Sequence, residues 1–514
     1  MASLYERRCG QRKLALESTL APATRWDPVL PGIKIRATQE RFVRSHTDPG
    51  RSLQKTQDIA FCLGHAALTV DRGPQAHLRA SDQYLSRSSR AVRSQAPLRD
   101  HADPRARARA GEAAPTPRSP PANIAVRSHG IPWGVKDLLD TAGIPTTYGA
   151  EPFRDRVPAD DAAVVAPARI GAGAVLVAKL SLGALALNDI WFGGQTMNPW
   201  LLEEGASGSS AGPGAATAAG CVGFSIGSET GGSIVAPAMR CGVTGLRPTF
   251  GRVPRTGAMT LCWSLDKLGP MTRHVEDAML VLHAITGPDA GDRRRACRAI
   301  STSTPPPPSQ GLRVGYFPQW IEQNPGHRRR SATPLEHVKK LGMTPREVQL
   351  PNWPYDSHEP RFCSPKAAAA FEELTLTGGM NQLKAQVPDA WPNVFREARF
   401  LSAVDFVQAD RMRRKVARGD GAAVFARWTC CWCPSLRDEM LTIANFTGHP
   451  SLTTARRIHR STESPQRLGA GSEQPAADLL RSHAASRTAS PSSAASSRRA
   501  RSAPSASHWK KASV

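Results

Sequence analysis

From Gly130 onward, apolar and polar residues fall into short regular groupings that the rest of the chain lacks. Ala174-Val-Leu-Val-Ala-Lys-Leu180 is a nearly continuous apolar run preceded by Gly171 and Gly173. Runs of that length and composition predict a buried strand. Cys221-Val-Gly-Phe-Ser-Ile-Gly227 reads the same way. Asp160 to Ala172 places Val164, Val165 and Ala168 at helical spacing, and its glycines predict the stop. Ala215 to Cys221 is small and helix-compatible, suited to a crowded interior. Val275 to Ile285 predicts an amphipathic helix closed by Gly287-Pro288, and helical spacing resumes over Ala367–Leu383 and Ala398–Arg418. Short strands mixed with helices of this kind predict the α/β class.

The flanks differ sharply. Residues 1–125 are rich in Arg, Ser, Ala, Pro and Gln, with Arg105-Ala-Arg-Ala-Arg109 and Ala114-Pro-Thr-Pro-Arg-Ser-Pro-Pro121 as examples. Residues 456–514 are an Arg/Ser/Ala-rich tail. Both have the composition of poorly ordered chain. An ordered domain is therefore expected over residues 126–455, with Ser301-Thr-Ser-Thr-Pro-Pro-Pro-Pro-Ser309 as an internal loop or linker. The 514 residues carry a net charge of +24, but its distribution decides its meaning. Residues 128–290 hold 11 Lys/Arg against 14 Asp/Glu, a balance of −3, whereas residues 1–127 hold 22 against 11 and residues 455–514 hold 11 against 3. The basic charge sits in the flanks. A nucleic-acid protein concentrates it on a face of a folded domain, so nucleic acid is not the expected partner.

No stretch of about twenty apolar residues is present, so no membrane span is expected. The N-terminal Met1–Ser18 lacks the apolar run of a secretory leader, which makes a cytoplasmic location the expectation. The ten cysteines form no disulfide framework. Cys430-x-x-Cys433 is half of a zinc or redox motif with only His449 downstream, so no metal and no cofactor are expected.

Three segments carry candidate chemistry. Gly130-Ile-Pro-Trp-Gly-Val-Lys-Asp-Leu138 places Lys136 between apolar neighbours at the end of a strand-like run. Gly205-Ala-Ser-Gly-Ser-Ser-Ala-Gly-Pro-Gly214 is a Gly/Ser loop leading into a small-residue helix. Gly227-Ser-Glu-Thr-Gly-Gly-Ser-Ile-Val-Ala-Pro237 is a second such loop after a strand. A serine hydroxyl becomes a competent nucleophile only when a base takes its proton. A lysine serves as that base when burial lowers its pKa toward roughly 7–8. Two glycines just before a serine let successive backbone N–H groups converge on a developing oxyanion. Two shorter patterns compete with these: Gly223-Phe-Ser-Ile-Gly227 has the form of a hydrolase elbow, and Ser264-x-x-Lys267 that of penicillin-recognising enzymes. Ser225 lies within an apolar run and is expected to face the interior, and neither companion motif follows Lys267.

The middle of the chain resembles the amidase signature family. The residues that carry the resemblance are Gly134-Val-Lys-Asp137, Asn198-Pro-Trp200 with Ser207-Gly-Ser-Ser-Ala-Gly-Pro213, and Gly227 to Pro237. Cys241 to Val253, Ser264 to Pro270, Thr272 to Asp277 and Asn445 to Pro450 add to it. The resemblance implies an α/β/α sandwich with a large mixed central β-sheet covered by helices. It implies a Ser–cis-Ser–Lys triad in which Ser233 is the nucleophile, Ser209 follows a cis bond after Gly208, and Lys136 is the base. It further implies an oxyanion hole from the N–H groups of Thr230, Gly231, Gly232 and Ser233, with Ser210 and Glu229 in support. Glu229 stands where the family commonly has Asp, Val235 where it has Arg, Ala211 where it has Gly, and Pro213 where it has a small or polar residue.

The implied activity is hydrolysis of a small-molecule amide through an acyl-enzyme, by a chain that acts alone or as a homodimer. One alternative is the amidase subunit of a tRNA-dependent amidotransferase, working with a partner subunit. Another, motivated by the abrupt change in composition, is an inactive or truncated amidase-like chain whose flanks stem from frame-shifted coding sequence.

Overall fold

The computed structural model describes residues 130–166, 173–292, 309–322, 334–353, 355–420, 430–433 and 438–454. The two flanks set apart by composition, and Ser301–Pro308 of the linker, lie outside the described residues. The strands are β1 (Pro132–Lys136), β2 (Val175–Leu180), β3 (Ile190–Trp191), β4 (Gly194–Gln195), β5 (Met197–Asn198), β6 (Leu201–Gly205), β7 (Phe224–Glu229), β8 (Thr244–Arg247), β9 (Lys267–Thr272), β10 (Arg313–Tyr316), β11 (Thr344–Glu347), β12 (Cys430–Trp432) and β13 (Ser451–Thr453). Six of them form the central sheet in the order β13-β8-β9-β7-β1-β2. It is mixed: β1 runs parallel to β2 and β7, while β7–β9, β8–β9 and β8–β13 are antiparallel.

The helices used below are α1 (Ala211–Ala218), α2 (Val235–Cys241), α3 (Val275–Ile285), α4 (Tyr355–Ala370), α5 (Trp391–Ala398), α6 (Ala403–Asp420) and α7 (Asp438–Thr447). The period-2 alternation of strand side chains separates the two faces of the sheet. Trp133 and Val135 of β1 share a core with Phe224 and Ile226 of β7, Leu268 of β9 and the apolar stripe of α3. The opposite face carries Gly134 and Lys136, in register with Ser225 and beside Gly227. It packs on the small residues of α1 and α2, where Ala211, Ala215, Ala218, Ile234 and Ala238 meet Met271. Helices thus cover both faces, as the family resemblance implies.

Several predicted elements shift. The helix expected over Asp160–Ala172 is a series of turns across its described part, 160–166. Its first N–H groups are taken by tertiary acceptors, Ala162 donating to the Asp140 carbonyl and Ala163 to that of Thr256, while Val165 and Ala166 bond back locally, to the Ala162 carbonyl. The helix expected from Ala215 starts four residues earlier, inside the Gly/Ser loop, because Pro213 is tolerated in a first turn that needs no N–H there. The strand expected at Cys221–Gly227 lies at Phe224–Glu229, and β2 is only half-buried over Val175–Ala178 because it is a sheet edge. The helix at Val275–Ile285 has the predicted bounds. The two later helical segments divide differently. Ala367–Leu383 is the end of α4, which begins at Tyr355, followed by short helices at Glu372–Leu376 and Gly379–Gln382, and the segment expected from Ala398 begins at Ala403 as α6.

Candidate active site

Lys136 is the last residue of β1 and is fully buried. Its Nζ lies 2.7 Å from Ser209 Oγ, 3.0 Å from Ser210 Oγ and 2.9 Å from Ser228 Oγ. Among the described residues no carboxylate comes within ion-pair distance of it. Burial therefore dominates and holds its pKa well below the ordinary lysine value, with the more distant charges of Glu229 and Asp266 working weakly against that.

The fold makes room for this contact. Gly227 lies at the level of Lys136 on the neighbouring strand, and a Cβ there would come within 2.8 Å of Ser210 Oγ. The peptide bond between Gly208 and Ser209 is cis, and a Cβ on Gly208 would collide with the Asn188 carbonyl. Ser209 and Ser210 are both buried, and the backbone N–H of Ser210 donates to the Ser233 carbonyl at 3.1 Å. The two glycine-containing loops are thus tied together by a main-chain hydrogen bond. The Ser210 hydroxyl also donates to the Ser228 carbonyl at 3.1 Å and accepts the Ser228 N–H at 3.2 Å.

Ser233 is half-buried and follows Gly232, whose φ of +114° is closed to side-chain-bearing residues in ordinary backbone. Among the described residues its hydroxyl has no hydrogen-bond partner, and the N–H groups of Gly231, Gly232 and Ser233 have no acceptor. The structure therefore brings Lys136, Ser209 and Ser210 into direct contact. Ser233 joins them through its carbonyl and not through its hydroxyl.

Glu229 is buried beneath this turn. One carboxylate oxygen accepts the N–H groups of Ile234 at 2.9 Å and Val235 at 3.0 Å, and the other pairs with Arg247 at 2.7 Å. Although burial opposes it, the Arg247 and Lys267 charges and these hydrogen bonds hold the Glu229 carboxyl below its usual range. Asn445 of α7 donates to Glu229 at 3.3 Å and accepts from Lys267 at 2.6 Å. Lys267 is pushed down to about 7, chiefly by burial and then by Arg247. Thr230 donates to Asp266 at 2.7 Å, whose carboxylate also accepts the N–H groups of Leu261 and Cys262.

Sequence reasoning missed Ser228, Arg247, Asp266 and Asn445, and met Lys267 only in a competing pattern. Each lies in a stretch that carries the family resemblance, yet nothing in local spacing shows that they converge. The competing motifs dissolve: Ser225 is fully buried and donates to the Pro213 carbonyl at 3.0 Å, while Ser264 is bonded to Lys366 and not to Lys267. Among the described residues no group of three His, Cys, Asp or Glu side chains is placed to hold a metal ion. No helix among them is long and apolar enough to cross a membrane.

The sequence model of the Amidase family matches residues 87–419. The chain belongs to the amidase family. That match starts inside the N-terminal stretch that composition sets apart. Curated relatives of this amidase-family chain include a glutamyl-tRNA(Gln) amidotransferase subunit from Roseiflexus sp. (strain RS-1), 39% identical over 241 residues, or 44% of this chain and 48% of the relative. The same-named subunit from Anaeromyxobacter dehalogenans (strain 2CP-C) is 40% identical over 233 residues, 44% of this chain and 47% of its own. The chain spans about half the length of the curated relatives it matches. Among solved structures, native peptide amidase from Stenotrophomonas maltophilia superposes with a TM-score of 0.62 at 24% identity, covering 78% of this chain and 91% of that one, a likeness of fold. The corresponding glutamyl-tRNA(Gln) amidotransferase subunit from Thermotoga maritima gives a TM-score of 0.52 at 26% identity, covering 63% and 76%.

Proposed function

We propose that this amidase-family chain hydrolyses the carbon–nitrogen bond of a small amide through a covalent acyl-enzyme. The observation that carries the reading is the 2.7 Å contact between the buried Lys136 amine and the Ser209 hydroxyl, in a nest of hydroxyls without a carboxylate. A neutral amine has one lone pair to receive a proton, and the nest can supply it. In this reading the Ser233 oxygen attacks the amide carbon, its proton passes to Ser209, and the Ser209 proton passes to Lys136 Nζ. Substrate brings the Ser209 and Ser233 hydroxyls together, since hydrogen bonds of a proton relay commonly tighten only in the complex.

The negative charge that develops on the carbonyl oxygen falls to the unoccupied N–H groups of Gly231, Gly232 and Ser233, with that of Thr230 beside them. Each donor of this kind is worth roughly 100- to 1000-fold in rate. The carbon–nitrogen bond then breaks, the leaving amine takes the proton held by Lys136, and water hydrolyses the ester by the same relay in reverse. Glu229 positions the turn by holding the N–H groups of Ile234 and Val235, and Ser210 holds the two loops together.

Labelling with a small fluorophosphonate tests this reading. The wild-type chain is expected to be labelled on Ser233, and Ser233→Ala to remain unlabelled. Equal labelling of both chains, or none of either, would overturn it. A second reading, favoured by the name of the curated relatives, is that of a glutamine-hydrolysing subunit working with a partner. Glutaminase activity that appears only on adding such a partner would establish it.

A further inference from the structure

A cavity of about 190 Å³ opens beside Ser228 and Thr230, at the start of the turn that leads to Ser233. Its inner wall is Leu138, Met259, Leu261 and Leu268, all buried. Met259 is fixed there because its N–H donates to the Leu138 carbonyl at 2.9 Å, two residues beyond Lys136. Three charged residues, Arg255, Asp266 and Asp292, also line the space, and all are already occupied. The Arg255 guanidinium donates to Asp292 at 3.0 Å and 3.4 Å and to the carbonyls of Trp263 and Asp266 at 2.6 Å and 3.2 Å. The Asp266 carboxylate accepts from Thr230, Leu261 and Cys262.

From this we infer that the cavity takes the acyl portion of a neutral amide, an apolar group about the size of a benzene ring. A carboxylate on the substrate would have to displace Asp292 from Arg255, and an ammonium would have to displace three donors from Asp266. Either exchange loses bonds already made in a partly desolvated site, which costs more than it returns. The size follows from a dry cavity of roughly 150 Å³ being large enough for benzene. Of the hydroxyls on the wall, Ser228 is bonded to Lys136, Thr230 to Asp266 and Thr256 to Asp289, and Thr260 is the fourth. The contact area offered to a flat ring or a chain of about six carbons is that of the inner wall together with Ala186, Ala258 and Trp263.

This inference rests on the reading of the site as an amidase, and the test separates the two. Binding of benzamide, hexanamide and L-glutamine is measured calorimetrically on the full-length Ser233→Ala chain, where turnover is not required. Benzamide and hexanamide are expected to bind at least about tenfold tighter than L-glutamine, the discrimination an apolar pocket typically provides. Met259→Trp, which fills the cavity, is expected to weaken benzamide by about tenfold or more, and Met259→Ala to admit 4-tert-butylbenzamide. L-Glutamine binding as tightly as benzamide, or no detectable benzamide binding, overturns the assignment even if Ser233 is labelled by fluorophosphonate. So does benzamide affinity that both Met259 variants leave unchanged while melting as the parent does. Failure of the labelling alone would instead remove the catalytic reading and leave the cavity's preference standing on the binding data.

Discussion

Two lysines, in register-adjacent positions of β1 and β2, occupy opposite faces of the sheet and opposite chemical situations. Lys179 is paired in register with Val135, and Lys136 with Leu180. Both are buried, and burial is the largest influence on each, lowering both pKa values. Lys179 is held as a cation should be. Its Nζ lies 3.3 Å from the Asp137 carboxylate and donates to the Leu139 carbonyl and to Thr146 at 2.8 Å. Asp137 is held in turn by the hydroxyl and N–H of Thr147. Lys136 has hydroxyls in place of a carboxylate. The comparison teaches that burial alone does not make a lysine a base. What matters is whether the fold supplies a counter-charge, and here it does so for one lysine and withholds it from the other.

The largest effect is expected from Lys136→Met, which should lower amide hydrolysis by about 1000-fold or more while leaving urea stability close to wild type, because it removes a group that stabilises no charge. A Lys136→Met chain that unfolds instead would mean the amine is structural. Lys179→Met should show the reverse. It leaves the Asp137 carboxylate buried without its cation and should cost about 3–5 kcal/mol in chemical denaturation, with loss of activity only in proportion to unfolding. Equal stability of the two variants would erase the distinction between the lysines.

The pH profile sharpens it further. With Lys136 acting as the neutral base proposed above, kcat/KM should rise about tenfold per pH unit on its acid limb and level off well below the ordinary lysine value of 10.5. A profile that is flat across that limb would assign the base elsewhere. The smallest effect concerns Lys267. Its folded pKa of about 7 lies below the unfolded value of 10.5. Between those values the unfolded chain binds more protons, so this group makes stability rise with pH across that window. Lys267→Met should flatten the slope of unfolding free energy by one proton between pH 7 and 10.5, read from denaturant titrations across the range.

The elements legible in the sequence are those whose pattern is local. The amphipathic stripe of Val275–Ile285 specifies one helix whatever surrounds it, and its bounds are those predicted. The site's loops are legible because two Gly/Ser-rich stretches, 205–214 and 227–233, interrupt the apolar text around them. What escapes is set by tertiary contact. In the turns at 160–166 the N–H groups of Ala162 and Ala163 are drawn to the carbonyls of Asp140 and Thr256, which overrides the helical spacing of the valines. Asn445 acts on Glu229 from 216 residues away, and no window of sequence contains both. Ser228 is hidden for another reason: its neighbours in the loop carry stronger signals, and only the folded register turns its hydroxyl toward Lys136. The contact between Lys136 and Ser209 follows from the family resemblance, whereas the absence of a hydroxyl contact from Ser233 does not.

The family match stops at residue 419, yet the sheet does not. β13 forms its outer strand at 451–453, pairing with β8, and α7 delivers Asn445 between Lys267 and Glu229. A protein trimmed at the boundary of the match would keep every candidate catalytic side chain. It would lose the amide that stands between the buried Lys267 amine and the carboxylate holding the turn at Ser233. Residues 438–454 are, in that sense, a clasp fastened from far along the polypeptide.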